Sequence, residues 1–508
     1  MPISIKNIVK QSAKFNVVSI VSLLIQIPNQ LIIGMFLVPE EYGIISFVAL
    51  WSLYAGLINP GMLSAGQREI PYLMGKKEEE QSIKVQNIAI SSDWLYSILP
   101  FIVILCASFF YSNKMIKIGL ILTAISFIAN RLVIYWSSIN FIKQRFTIVA
   151  IGRLISAILS PIIIIGSIYW LGIYAVLIAP LVCTIFMGIY YLRKGPIGYH
   201  FQFEWAEVIR LIKVGFIFSL SGVIFYVYRM ADRTIIASFL SLHDLGLFAF
   251  AMGFIMFGMN FLADFGRVLE PILWEHSGKV QNPEDSFNNT KRMAIYMALA
   301  TAIIIPLVQV GYDVTVRLLV PKYIESIPLF LILSNMLYLA SMSMIPNIIL
   351  NSVVINKQAL VTGVYAIGVG INIVFDLVMV YAGYGIGAIA FVTIVSQGMV
   401  TFILYLLARE YIIRQRKGLA LFLWQITFPF IISVLFTIVH GFLESTTLNS
   451  WLLGSISLCF QIIVWSTVIA IFYQNYVTKD KVLNIVKELF ELGRNGIRRK
   501  IKALAITR

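Results

Sequence analysis

Three charged side chains interrupt an apolar segment in the stretch FYVYRMADRTIIASFL, residues 225–240. Arg229 precedes Asp232 by three positions and Arg233 by four, so on a helix all three share one face. If the segment spans a membrane, each charge costs about 2.5 to 3.5 kcal/mol to insert and must face a partner or a water-filled cavity. The pattern indicates either an internal ion pair of Arg229 with Asp232, or a cationic cavity whose planar guanidinium groups bind an anion such as a phosphate.

Two more arginines lie within apolar segments nearer the N-terminus. Arg131 is about midway along one segment, and Arg153 is about two helical turns into the next. Both could add positive charge to the same cavity, although Arg153 could equally extend its head group to the membrane surface. We rank Arg229 and Arg233 first as anion-binding residues, followed by Arg131 and then Arg153.

Acidic residues in the apolar segments suggest a second role. Asp376 follows Asn372 by one helical turn, which places two oxygen-bearing side chains on one face. Together with Asp232 they could bind a proton or sodium ion coupled to transport, or they could form ion pairs with arginines. We prefer pairing of Asp376 with an arginine from the other half of the chain, because charge pairing is the default inside membranes. Asp93 and Asp264 are assigned structural roles.

The composition identifies the elements that must carry these residues. Of the 508 residues, 59% are hydrophobic and 12% are charged, against about 45–50% and about 25% in soluble domains. The sequence therefore predicts an all-α polytopic membrane protein with about fourteen spanning helices. Their predicted limits are 15–38, 42–63, 86–111, 118–140, 147–169, 172–192, 214–240, 245–266, 293–318, 327–353, 359–381, 384–408, 420–441 and 451–475.

An internal repeat divides these helices into two halves. Residues 29–47 align without a gap on residues 232–250 after a shift of 203 positions, with Gly43 on Gly246 among six identities. Six helices per half is an even number, so we expect a parallel repeat with the substrate path between the halves. The predicted organisation is a basic arm (1–14), an N-lobe (15–192), a linker (193–213), a C-lobe (214–408), a helix pair (409–475) and a basic amphipathic tail (476–508).

The positive charge is explained by membrane topology. Most of the 39 lysines and arginines fall on one side when the N-terminus is placed in the cytoplasm, which predicts a cytoplasmic C-terminus as well. Nucleic acid is therefore not expected as a partner. The tail could lie on the inner leaflet or remain solvated. The three cysteines and four histidines show neither disulfide nor metal-site spacing, so we expect no metal and no cofactor.

Two stretches carry a resemblance to a known family. EEYGIISFVALWSLYAGLINPGMLSAGQREIPYLMGKK at residues 40–77 and RMADRTIIASFLSLHDLGLFAFAMGF at residues 229–254 resemble the oligosaccharide and O-antigen flippases. These flippases form the polysaccharide-export branch of the multidrug, oligosaccharidyl-lipid and polysaccharide exporter superfamily. The resemblance covers nearly the whole chain.

The resemblance implies a function and partners. Such proteins move undecaprenyl-diphosphate-linked oligosaccharide repeat units across the bacterial cytoplasmic membrane by alternating access of two lobes. Polysaccharide polymerase and chain-length machinery become possible partners, besides membrane lipid, and we expect a monomer that is not an enzyme.

Rival functions leave two alternatives open. The chain contains no GxxxxGK[ST] motif for an ATP-driven pump, and the predicted outer connections are too short for the catalytic loop of a glycosyltransferase or polymerase. A multidrug exporter of the same superfamily would have a similar fold, with acidic residues in its cavity. A flippase for peptidoglycan-precursor lipid would require arginines as well.

Overall fold

The computed structural model describes residues 21–22, 25–57, 61–143, 145–195, 198–279, 290–352, 354–412, 417–444 and 450–472. Within these ranges the regular structure is entirely helical, which confirms the all-α prediction. The basic arm and the basic tail lie outside the described residues. The helices are α1 (25–36), α2 (Pro39–Leu57), α3 (Met62–Gly75), α4 (Glu79–Ser108), α5 (Lys114–Ile142), α6 (Phe146–Leu171), α7 (Ile173–Lys194), α8 (Trp205–Phe239), α9 (Leu242–Lys279), α10 (Thr290–Leu319), a 3-10 turn (Pro321–Ser326), α11 (Ile327–Leu333), α12 (Met336–Leu350), α13 (Gln358–Tyr381), α14 (Ile386–Ile412), α15 (Lys417–Glu444) and α16 (Ser450–Phe472).

Ten helical segments in the described ranges are long and apolar enough to cross a membrane, and one of them, Pro321–Leu350, comprises the 3-10 turn, α11 and α12. Two predicted spans differ from the structure because each is divided into two helices. Residues 42–63 fall on α2 and α3, and residues 327–353 fall on α11 and α12, which are separated by a turn at Ser334 and Asn335. The predicted seventh span, 214–240, falls on α8, which begins earlier than predicted, at Trp205.

The helices bury three apolar clusters, and the one around Tyr135 also includes Val208 and Leu211 of α8. The N-lobe contains two apolar clusters, one built around Leu120 and one around Tyr135. The C-lobe has a larger cluster that also includes residues of α15 and α16, because both helices pack against α10. We name the two ends of the bundle by their connections: the linker end contains residues 198–204, and the distal end contains residues 37–38 and 240–241.

The internal repeat is visible in the hydrogen bonds at the distal end. The Glu41 carboxylate accepts a hydrogen bond from the Val38 N–H at 3.1 Å, which caps the start of α2. At the equivalent place 203 residues later, the Asp244 carboxylate accepts from the Ser241 N–H at 3.2 Å and caps α9. Each cap satisfies a backbone donor that the helix leaves unpaired. The sequence repeat therefore corresponds to a structural one.

The two lobes touch at this end through repeat-equivalent glycines. A methyl group on Gly43 would overlap the carbonyl oxygen of Leu242, and one on Gly246 would overlap the carbonyl oxygen of Pro39. Each contact is the other one shifted by 203 positions, as expected when a pseudo-two-fold axis passes between two self-complementary surfaces. Only glycine permits this backbone approach, so the backbones of α2 and α9 touch directly at these two positions.

Candidate functional site

Four buried polar side chains from three C-lobe helices meet near the distal end. Asp232 lies on α8, Asn372 and Asp376 on α13, and Thr393 on α14, and each is at most 3% exposed. The Thr393 hydroxyl lies 2.8 Å from Asp232 Oδ2 and 2.9 Å from the carbonyl oxygen of Ile389, so it can donate to either. The structure thus brings together the three residues that the sequence suggested for coupling, and adds Thr393.

The two carboxyl groups of this cluster act on each other directly. The Asp232 charge is the main electrostatic influence on Asp376, and Asn372 lies beside Asp232. Apart from the Asp232 carboxyl group that they face, the oxygens of Asp376 and the polar atoms of the Asn372 amide have no hydrogen-bond partner within the described residues. Two buried acids cannot both stay charged without a counter-ion, so this arrangement favours a shared proton or a bound cation over a fixed structural pair.

Asp376 forms no ion pair with an arginine in the part of the chain that the structure describes. The coupling role of Asp232, Asn372 and Asp376 therefore remains a prediction, with a geometry that suits it. Oxygen ligands from two carboxylates, an amide and a hydroxyl are the type that hard cations prefer. Among the described residues, no group of three or more histidine, cysteine or acidic side chains gathers for a metal ion.

Arg233 lies between this cluster and the other lobe. Its side chain is half-buried, and its charge acts on the Tyr42 hydroxyl of α2 as well as on Asp232. The next residue, Thr234, shares a 2.5 Å hydrogen bond with Tyr54 of α2. Arg233 therefore lies at the interface of the lobes, where a cationic cavity was predicted. Arg229 lies one turn earlier on α8, and its side chain is outside the described residues.

Arg131 has a different environment inside the N-lobe. It is 6% exposed, its Nη1 is 3.9 Å from Asp93 Oδ2, and its guanidinium lies 4.9 Å from the centre of the Phe127 ring. The Tyr135 hydroxyl donates a hydrogen bond to the same Asp93 oxygen. Asp93 is thus a structural acid, as expected, and the role of Arg131 in anion binding remains a prediction.

The arginines do not converge at one depth. Arg131 lies 17 residues from the distal start of α5 at Lys114, about 25 Å at 1.5 Å per residue. Arg233 lies six residues from the distal end of α8 at Phe239, about 9 Å by the same rise. Arg153 is exposed on α6, beside Tyr191 of α7, and α6 packs within the N-lobe. The structure therefore places only Arg233 of these three at the lobe interface.

Two further charged clusters were not predicted from the sequence. In the C-lobe, Asp313 accepts a 2.6 Å hydrogen bond from Arg317 Nε and lies 3.2 Å from His440 Nε2, joining α10 to α15. The four-residue spacing of Asp313 and Arg317 was visible in the sequence, whereas the contact with His440 was not. This cluster attaches the helix pair to the C-lobe.

The second unpredicted cluster joins the lobes at the linker end. Arg210 of α8 makes a bidentate pair with Glu69 of α3, at 2.8 and 2.6 Å, and also bonds Glu207. The Arg210 guanidinium holds the pKa of the Glu207 carboxyl below its usual range, because it donates hydrogen bonds to the ionised form. Glu69 and Arg210 border a cleft of about 1300 Å³ between α3, α4 and α8.

Comparisons with known proteins agree with this architecture. The sequence profile of a family described as polysaccharide biosynthesis protein matches residues 32–328, which is more than half of the chain. A comparison with curated proteins finds no similar sequence.

Among solved structures, the fold is similar to the lipid II flippase MurJ in an inward closed conformation, with a TM-score of 0.67 and 15% identity over 91% of this chain and 99% of that one. It is also similar to an inward-facing multidrug resistance MATE family transporter of the MOP superfamily, with a TM-score of 0.61 and 12% identity over 78% and 97%. A MOP superfamily transporter from Pyrococcus furiosus, whose binding pocket is described as having reverse polarity, matches with a TM-score of 0.56 and 13% identity over 79% and 95%. At these identities the matches show the fold alone.

Proposed function

Because the chain belongs to the polysaccharide biosynthesis protein family, and has the fold of MOP superfamily transporters, we propose that it is a flippase for lipid-diphosphate-linked oligosaccharide repeat units. The substrate would cross the bacterial cytoplasmic membrane between the two lobes, with both termini of the protein in the cytoplasm. O-antigen or another surface polysaccharide would be the end product. Polymerase and chain-length proteins would act on the substrate after it has crossed.

The observation that carries the proposal is the position of Arg233. A half-buried guanidinium at the interface of two membrane lobes, within electrostatic reach of Tyr42 on α2, is placed to contact an anion that passes between the lobes. A diphosphate suits it, because its oxygens accept bidentate, charge-assisted hydrogen bonds. Arg229 lies one helical turn away on the same helix and would contact the same headgroup.

The acid cluster supplies a mechanism for coupling. Asp232 is adjacent in sequence to Arg233 but points to Asp376 and Thr393, so binding of a proton or monovalent cation to the acids would change the electrostatic surroundings of Arg233. A ligand shifts an equilibrium between conformations only by its differential affinity for them. We propose that the cation stabilises one lobe arrangement and that the anionic headgroup, held by Arg233, stabilises another.

Export of the polysaccharide tests the proposal. Deletion of the gene should abolish the surface glycan and cause its lipid-linked repeat unit to accumulate on the inner leaflet. Complementation with Arg229→Ala or Arg233→Ala should restore membrane-inserted protein but not the glycan. Arg193→Ala, which removes an exposed basic residue at the end of α7, is the matched control and should restore export. Normal glycan in the deletion strain, or loss of the two alanine variants from the membrane, would contradict the proposal.

A flippase for peptidoglycan-precursor lipid is the second candidate, because the MurJ fold extends over 91% of this chain. It shares the diphosphate headgroup, so the arginine variants do not separate the two functions. Depletion of the gene separates them. A flippase for peptidoglycan-precursor lipid predicts cell lysis with accumulated precursor, whereas a flippase for oligosaccharide repeat units predicts viable cells that lack one glycan. Efflux of cationic dyes without either defect would instead identify a multidrug exporter.

A further inference from the structure

The connection between the lobes is attached to the N-lobe along most of its length. We call residues 198–204 the strap. Gln86 Nε2 donates to the carbonyl oxygen of Gly198 at 2.8 Å, and the Gln202 N–H donates to Ser91 Oγ at 3.0 Å. Ser91 Oγ and the Tyr199 hydroxyl also share a 3.0 Å hydrogen bond. The strap therefore satisfies polar side chains of α4 that would otherwise be buried without partners.

The depth of these contacts follows from the length of α4. This helix has 30 residues between Glu79 and Ser108, whereas about 20 residues cross the hydrocarbon core. Counting 20 residues from its distal end at Ser108 places the other boundary of the core near residue 88. Ser91 lies inside that limit, so Gln202, which bonds to it, lies at the edge of the hydrocarbon. The ion pair of Lys84 with Glu204, at 2.6 Å, lies just outside it.

The outward face of the strap is aromatic at this depth. Phe201 is 62% exposed, Phe203 is 42% exposed, and Trp205, the first residue of α8, is 60% exposed. The rings of Phe203 and Trp205 are 5.5 Å apart. Aromatic side chains concentrate where the headgroups meet the acyl chains, and water would be an unfavourable surrounding for three adjacent rings.

We infer that the strap is a membrane anchor, whose partner is the lipid leaflet on its own side of the bilayer. Phe201, Phe203 and Trp205 lie in the zone between the headgroups and the acyl chains, while Gln202 faces inward to α4. Since α8 begins directly after the strap, the anchor sets the depth at which this helix starts. The same helix carries Asp232 and Arg233, so the strap controls the height of the predicted site.

Depth-resolved fluorescence quenching tests this inference. The three native cysteines, Cys106, Cys183 and Cys459, are first replaced by serine or alanine in the full chain. Single cysteines are then introduced by Phe201→Cys and Phe203→Cys and labelled with a small environment-sensitive fluorophore. The labelled protein is reconstituted in vesicles of phosphatidylcholine and phosphatidylglycerol that contain lipids spin-labelled at the headgroup, at acyl carbon 5 or at acyl carbon 12. Aqueous iodide provides the opposite probe.

Two reference positions calibrate the depths. Ile162→Cys places the label on the 59% exposed surface of α6, in mid-membrane, and should respond most to carbon 12. Gln81→Cys places it on an exposed residue in the first turn of α4 and should respond most to iodide.

The labels at positions 201 and 203 should show blue-shifted emission, strongest quenching by the headgroup or carbon-5 lipids, and loss of iodide quenching relative to position 81. Iodide quenching equal to that at position 81, without quenching by the spin-labelled lipids, would show a solvated strap and overturn the inference. Protection from both iodide and lipid would show that another protein surface covers the strap, which also overturns it. Two probe positions keep the result interpretable if one variant inserts poorly.

Discussion

Asp93 in the N-lobe and Asp232 in the C-lobe are both buried, and their surroundings are opposite in kind. In the N-lobe, Asp93 is held by Arg131 at 3.9 Å and by the Tyr135 hydroxyl. In the C-lobe, Asp232 faces a second acid, Asp376, and within the described residues the oxygens of Asp376 have no hydrogen-bond partner other than this carboxyl group.

The difference separates a permanent charge from an exchangeable one. An arginine cannot be deprotonated inside a protein, so the N-lobe pair keeps its neutralising charge in every conformation. A proton or cation on the C-lobe acids can leave. We therefore predict that the Asp93–Arg131 pair stays electrostatically fixed while the Asp232–Asp376 cluster responds to its surroundings, although the C-lobe has a fixed pair of its own in Asp313 and Arg317. Four tests follow, in order of their expected effect on stability.

Asp93→Ala should have the largest effect. It leaves the Arg131 charge buried without its acid, which costs about 3 to 5 kcal/mol, so the detergent-solubilised protein should show a strongly lowered Tm or fail to accumulate. Replacing both partners, in Asp93→Leu with Arg131→Met, should restore most of the stability, because no charge remains to be buried. An Asp93→Ala variant as stable as the wild type would mean that the N-lobe pair is not fixed.

Tyr135→Phe and Thr393→Val compare the loss of one hydroxyl group in the N-lobe with the loss of one in the C-lobe. Each removes a hydroxyl that lies beside a buried acid. Loss of a hydrogen bond to a charged acceptor costs about 1.5 to 3 kcal/mol, against about 0.5 to 1.5 kcal/mol for a neutral one. Tyr135→Phe should therefore lower the free energy of unfolding more than Thr393→Val does. Equal losses would indicate that Asp232 is as permanently charged as Asp93.

Gly246→Ala tests whether the lobes separate at their distal contact. The added methyl group overlaps the carbonyl oxygen of Pro39, so we expect a cost of about 1 to 3 kcal/mol and impaired glycan export. Gly222→Ala on α8 is the matched control, because nothing lies within 4 Å of its added carbon. The control should be neutral or stabilising by up to about 1 kcal/mol. Equal behaviour of the two variants would mean that the distal contact does not close in the transport cycle.

Asp376→Asn should have the smallest effect on stability and a large one on coupling. The amide removes like-charge repulsion with Asp232, so the Tm without added cation should remain close to that of the wild type. A coupling cation should raise the wild-type stability by about 2.7 kcal/mol at 100 times its Kd, and the variant should lose this increase. Screening Na⁺, K⁺ and pH by thermal shift identifies the ion, and an unchanged response in Asp376→Asn would exclude this site.

Much of the architecture could be predicted from the sequence, because hydrophobic length is a local property. The predicted limits 359–381 and 147–169 differ from α13 and α6 by at most two residues at each end. The equivalence of Gly43 with Gly246 also followed from a shift of the sequence alone, and the structure shows why both are glycine.

The partners of the charged residues were not predictable in the same way. One-turn spacing indicated that Asn372 and Asp376 share a face, but it could not show that this face meets Asp232 rather than an arginine. Neighbouring residues on a helix point about 100° apart, and this angle directs Asp232 into the C-lobe and Arg233 to the lobe interface. Thr393 gave no signal, because a threonine in an apolar helix has no distinctive pattern.

The sequence by itself determined the membrane class, most helix limits and the repeat, since these depend on apolar length and order along the chain. Only the tertiary structure decided which acid lies beside an arginine and which lies beside a second acid, because that depends on helix rotation and on contacts across 161 positions, as between Asp232 and Thr393. The tertiary structure likewise decided that residues 198–204 run along α4 and are hydrogen-bonded to it. Hydrophobic burial is non-directional, whereas ion pairs and hydrogen bonds require a specific geometry that no local pattern encodes.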